Sequence, residues 1–145
     1  MSRVSINELQ RVVYNALVAS SLFNALAQTP TVRVFEQVPL PSPSIDPDTQ
    51  FPYITIGHDR WQDWGSAVSD GISVDLAIHT WTRRGGAKDA KTYQDEVQRI
   101  LHHCNLTMNN QRMVLCRLDT AELDIEPDGV THHGIQRFRV LIEGG

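Results

Sequence analysis

The stretch GISVDLAIHTWTRRGGAKDAKTYQDEVQRILHHC, residues 71–104, decides the fold. From Gly71 to Thr82 the apolar residues Ile72, Val74, Leu76 and Ile78 take every second position, with Ser73, Asp75, Ala77 and His79 between them. A period of two puts the first set on the buried face of a strand and the second on a wetter face. After Arg83-Arg84-Gly85-Gly86 the period changes. Ala90, Tyr93, Val97, Ile100, Leu101 and Cys104 recur at spacings of three and four, the stripe of an amphipathic helix. A strand that feeds through a turn into a packing helix is scaffold, and no catalytic set of residues sits on it.

On the N-terminal side, Ser5-Ile6-Asn7-Glu8 has the capping-box pattern, in which Ser5 caps the Glu8 amide and Glu8 reaches back. Ile6, Leu9, Val13, Ala16 and Leu17 then predict a helix to about Ala27, with Ser20-Ser21 or Asn24 as points where it breaks. Thr29-Pro30 stops it, because the residue before proline is driven out of the α region. Val32–Val38 alternates like a strand. Residues 39–52 hold Pro39, Pro41, Pro43, Pro47 and Pro52, which excludes a central strand or helix and predicts an extended loop. Tyr53–Gly57 reads as a short strand and 58–70 as a loop or hairpin extension carrying Trp61 and Trp64.

On the C-terminal side, Asn109-Asn110 predicts a turn. Arg112–Glu126 follows as a strand whose apolar phase slips near Asp119–Ala121, which a bulge would explain. Pro127-Asp128-Gly129 is a second turn, and Ile135–Glu143 alternates again. The order α, β, β, β, α, β, β predicts a single α+β domain over residues 1–145. Its sheet is mixed or mainly antiparallel, of about four to five strands, with two main helices packed on one face.

A length of 145 residues is enough to bury a core without a disulfide or metal. The net charge of −4 gives no reason to expect a nucleic-acid binder. Cys104 and Cys116, both in apolar runs, read as buried thiols of a chain made in a reducing cytoplasm. The N-terminal segment has no signal-peptide pattern and no apolar run is long enough for a membrane span. His102-His103 beside Cys104, and His132-His133, invite a zinc hypothesis. Adjacent histidines on a helix diverge by about 100°, however, so the plainer reading is a polar helix end. No nucleophile elbow, phosphate loop or dinucleotide fingerprint occurs. Glu122, Asp124 and Glu126 alternate on one strand face, the solvent face or an acidic patch for a basic neighbour. Trp61 and Trp64, in polar surroundings, fit an interface as well as packing on their own sheet.

The chain resembles the bacteriophage tail-completion or tail-terminator family, which shares the fold of the lambda-type terminator. The resemblance rests on the N-terminal helix, Phe51-Pro52-Tyr53-Ile54-Thr55-Ile56, the strand Val74–Thr82, the helix from about Ala87 with Ala90, Tyr93 and Val97, and Glu126-Pro127-Asp128-Gly129 before the last strand. It implies a non-enzymatic virion protein without a cofactor. Its expected form is a ring, a homohexamer, that caps the tail tube, ends tube polymerisation and offers a surface to the head–tail connector. The implied partners are further copies of itself, the tail tube protein and the connector, with no membrane and no specific nucleic-acid binding, although the lumen would pass DNA. Trp61, Trp64, Arg83 and Arg84 are candidate contacts, with Glu122 and Asp124 of a neighbour as acceptors for the arginines. A neck component of the same particle and a small histidine-dependent metal binder are the alternatives.

Overall fold

Strand and helix form within residues 71–104 in the expected order, the helix ending at Leu101, and the remaining elements are arranged around that unit. The computed structural model describes residues 4–20, 34–35, 51–57, 59–83 and 86–144. In chain order the elements are α1 (Ile6–Val18), β1 (Val34–Phe35), β2 (Tyr53–Ile56), β3 (Arg60–Asp63), β4 (Gly71–Thr82), α2 (Gly86–Leu101), β5 (Thr107–Met108), β6 (Gln111–Ile125) and β7 (His132–Gly144). The sheet runs β1-β2-β4-β7-β6-β5, and β3 also pairs with β4. Only β1–β2 is parallel; every other pair is antiparallel. The class is therefore α+β with a mainly antiparallel sheet.

That sheet has seven strands among the described residues, not four to five. The two unforeseen strands are β5, only two residues long, and β3, whose sequence Arg-Trp-Gln-Asp is exposed throughout and so carries no alternation. Of the two readings of this stretch, loop or hairpin extension, residues 59–70 form the hairpin: Arg60–Asp63 pair with Ile72–Asp75, and the ladder extends to Trp64 N–H donating to the Gly71 carbonyl at 2.9 Å. The predicted proline loop lies outside the described residues except for Phe51 and Pro52, as does the strand 32–38 except for Val34 and Phe35.

The core cluster unites Val74, Leu76 and Ile78 of β4, Phe138, Val140 and Ile142 of β7, and Met113 and Cys116 of β6. To these it adds Leu9, Val13 and Leu17 of α1 and Tyr93, Val97 and Leu101 of α2. Helix α2 touches β4, β6 and β7, whereas α1 touches α2, β5 and β1. Gly134 of β7 lies hard against α2: a Cβ there would stand 2.3 Å from Gln94 Nε2. Gln94 in turn ties helix to sheet, donating from Nε2 to the Glu122 carbonyl at 3.1 Å and accepting from Gln136 Nε2 at its own carbonyl at 2.9 Å.

Three local expectations change. The capping box closes on one side only. Ser5 accepts from the Glu8 N–H at 3.4 Å, but the Ser5 N–H goes to Gln111 Oε1 at 2.9 Å, while the Glu8 carboxylate takes Arg11 and the Asn109 N–H. Tertiary partners on the β5–β6 turn outcompete the local one. Helix α1 ends at Val18 with Ala19 as its cap, short of Ala27, and the buried Ser20 hydroxyl donates to Glu96 of α2; residues 21–27 lie outside the described residues. Helix α2 stops at Leu101, so His102, His103 and Cys104 follow the helix instead of completing its stripe. His103 takes a left-handed φ of 60° and its N–H donates to the Cys116 carbonyl at 2.7 Å.

Strand β6 carries the bulge expected near Asp119 and a second one at Val114. Met113 and Cys116 are three residues apart, and Leu118 and Leu123 five. An odd separation in a regular strand would send each pair to opposite faces. One extra residue in each interval brings Met113, Cys116, Leu118 and Leu123 to the core side, opposite Ile142, Val140, Phe138 and Gly134.

Candidate assembly surface

The sheet face turned away from the core is where the remaining chemistry collects. Register puts Arg60 beside Asp75, Asp75 beside Arg139 and Arg139 beside Arg117, so one row crosses four strands. The next row holds Ala77, Arg137 and Thr120; the rows beyond carry Thr55, His79, Ile135 and Glu122, then Tyr53, Trp81, His133 and Asp124. The face therefore changes sign along β7. Arginines crowd the end near β3, and carboxylates gather toward the β6–β7 turn.

Arg117 and Arg139 stand directly opposite each other, a like-charge pair that would repel. Asp119, the bulge residue, lies between them at 3.6 Å from Arg117 Nε and 3.5 Å from Arg139 Nε. Arg60, Trp61, Gln62, Ser73, Asp75 and Arg139 line a groove of about 220 Å³. That is below the roughly 300–1,000 Å³ of small-molecule sites and matches the bulk of a few side chains. Ser73, Ala77 and His79 were expected on a wetter face, yet all three are buried. They are small or central residues of a strand that has partners along both edges, set among larger side chains such as Arg137 and Trp81.

At the other end of the face the Trp81 ring stacks on His133 with centroids 3.7 Å apart and 9° between planes, and its Nε1 donates to Thr55 Oγ1 at 3.1 Å. His133 Nδ1 lies 2.8 Å from Glu126 Oε1, and His133 Nε2 lies 2.8 Å from His79 Nδ1. A carboxylate only accepts, so neutral His133 donates from Nδ1 and must accept at Nε2 from the His79 Nδ1–H. This chain of ring contacts anchors the β6–β7 turn to β4. Asp128 completes the turn: it accepts from the Thr131 hydroxyl at 2.6 Å and from the Thr131 and Val130 N–H groups at 2.9 Å. Those bonds, the Thr131 hydroxyl foremost, hold its carboxyl down at about 2.

The six candidate contacts are distributed unevenly over this surface. Trp61 is 53 % exposed and Trp64 42 % exposed, both on the β3 arm. Alternation sets them on opposite faces, Trp61 in register with Val74 and Trp64 against Gly71. Glu122 and Asp124 are exposed on the outer side of β6. Arg83 is engaged within its own chain: Nε donates to Thr131 Oγ1 at 3.0 Å, the guanidinium lies 4.5 Å over the Phe51 ring, and Asp128 is 3.7 Å away. Arg84 lies outside the described residues. Arg60, Arg117, Arg137 and Arg139 did not stand out in the sequence. The signal available was the alternation Arg137-Phe138-Arg139, which puts two cations on the face opposite the buried Phe138.

His102 Nδ1 accepts the Leu118 N–H at 2.9 Å, and no group of three metal-capable side chains occurs among the described residues. Cys116 is buried and Cys104 half-buried. Their mutual hydrogen bond lowers the Cys104 thiol and raises that of Cys116, which burial raises further. No described helix is long and apolar enough to cross a membrane.

Comparison with known proteins completes the picture. Tail completion protein gp17 of Bacillus phage SPP1 is 26 % identical over 134 residues, which cover 91 % of this chain and 96 % of that protein. A chain from the virion of a native gene transfer agent particle superimposes with a TM-score of 0.82 over 99 % of this chain and 100 % of its own, at 23 % identity, and so shares the fold. A family model described as tail completion protein gp17 matches residues 11–143. With nearly its whole length matched, the chain belongs to the tail completion protein gp17 family.

Proposed function

We propose that the chain is a non-enzymatic structural subunit of a phage-type tail that closes into a homo-oligomeric ring, a hexamer, on the end of the tail tube. There it ends tube polymerisation, presents a surface for the head–tail connector at the neck-proximal end, and lets DNA pass through its lumen without sequence recognition. Assembly takes place in the bacterial host cytoplasm. Family membership supports the structural role in the virion tail. The observation that carries the ring is the sign change along the outer sheet face, with arginines at the β3 end and Glu122 and Asp124 near the β6–β7 turn. A head-to-tail ring needs two different, complementary patches on each subunit, and unlike ends of one sheet supply them.

The test is a deletion of the gene in its phage or prophage, with particles viewed by electron microscopy. Overlong or unstable tails are the expected outcome. Tails of normal length that fail only to join heads would overturn the capping role and put the subunit in the neck.

A further inference from the structure

Resting on the ring reading, we propose that the subunit contact is made between the β3 end of one copy and the acidic β6–β7 arm of the next, with Glu122 and Asp124 of the arm facing Arg60. The occupant of the β3-side groove is thus a second copy of this chain. Four observations carry the assignment. Among the described residues, Arg60, Glu122 and Asp124 make no ion pair, whereas Arg11, Arg83, Arg99, Arg112, Arg117 and Arg139 each have a carboxylate within 4 Å. Unlike charges left unused at the two ends of one face complement each other between copies and not within one.

The second observation is reach. Arg60 stands in the row of Arg139 and Asp124 in the row of His133, six residues of β7 apart, about 20 Å at the rise of a strand. One copy cannot bring its own arm to its own groove. Third, among the described strands both ends offer open edges: β3 pairs with β4 alone and is exposed at every residue, and β6 from Thr120 to Ile125 pairs with β7 alone. Fourth, exposed apolar residues flank each end. Trp61 lines the groove, and Ile125 (59 % exposed) and Val130 (54 % exposed) sit at the arm. Charged pairs ringed by such residues lose water on contact, which strengthens them.

The test uses charge reversal in the full chain, with native mass spectrometry and sedimentation at low salt. Arg60→Glu makes the groove end acidic, and Glu122→Arg/Asp124→Arg makes the arm basic. Each variant alone should raise the concentration for half-assembly at least about tenfold. An equimolar mixture should assemble again, because every contact in an alternating ring is then matched. Wild-type assembly should also weaken as salt rises, since exposed pairs are screened. If both variants assemble like the wild type, or if the mixture of folded variants stays apart, this contact is wrong and the ring stands. A wild-type protein that remains monomeric, or stops at two subunits, overturns the ring itself. The milder Arg60→Gln variant, with its fold checked by circular dichroism, serves if charge reversal unfolds the chain; a wild-type assembly constant in that variant also overturns the contact.

Discussion

At the scale of single residues, the β6–β7 turn shows how three short hydrogen bonds set a proton equilibrium. Asp128 is held down at about 2, against an ordinary value of 3.8, first by the Thr131 hydroxyl and then by the Thr131 and Val130 N–H groups. A carboxyl whose folded value lies below its unfolded one contributes stability above the unfolded value. That contribution disappears as pH falls from about 4 to about 2. Thr131→Val removes the 2.6 Å hydroxyl bond and should move the Asp128 titration midpoint, followed by carboxyl NMR, upward toward its ordinary value. A midpoint that stays near 2 would make the backbone N–H groups sufficient by themselves. None of this was legible in the sequence beyond the turn signal of Pro127-Asp128-Gly129. Which donor reaches which oxygen depends on the turn's geometry and not on its composition.

At the scale of elements, legibility followed burial. Strand β4 and helix α2 could be read because each has one apolar face, and the phase slip in Arg112–Glu126 correctly announced the bulge at Asp119. Strand β3 could not be read, since Arg60, Trp61, Gln62 and Asp63 are all exposed and leave no periodic trace. The basic row was hidden for a different reason. Arg60, Arg139 and Arg117 come from three strands and meet only through register. The Asp119 bulge separates two effects that experiment can divide. Asp119→Asn keeps the extra residue and removes only the charge between two half-exposed arginines, so it should cost less than about 1 kcal/mol. Deleting Asp119 removes the charge and the extra residue together and leaves Leu118 and Leu123 four apart, on one face of a regular strand opposite the same β7 partners. The core pairing is kept, so the cost in chemical denaturation should stay below the about 3 kcal/mol of a disrupted core. A larger loss would mean that the bend of the bulge, and not the facing of the two leucines, is what the extra residue serves.

At the scale of the whole molecule, the family and the fold were readable from the order of elements, while the surface was readable only in fragments. Trp61 and Trp64 are exposed as an interface requires, but they lie on opposite faces of one arm and so cannot both line the same flat contact. Arg83 is, on the sequence, a candidate contact with a neighbouring subunit. In the fold it is a brace within its own chain, packed over Phe51 and bonded to Thr131, because the β6–β7 turn comes back to meet the end of β4.

The long β6–β7 hairpin also has a consequence for how the chain finds its structure. Its strands are joined by the short turn Glu126–Thr131, so their pairing closes only a small loop. Strand β4, by contrast, meets β7 only after α2, β5 and β6 have been spanned. Local pairing costs less chain entropy than distant pairing, so the hairpin forms early and serves as the template onto which β4 and the helices condense. Truncating Leu118, at its centre, should therefore slow folding and give a high φ-value. Truncating Leu76, on β4, should chiefly speed unfolding; the opposite pattern in stopped-flow kinetics would reverse the order. On this route the arm that meets a neighbouring copy is also the first part of each copy to become ordered.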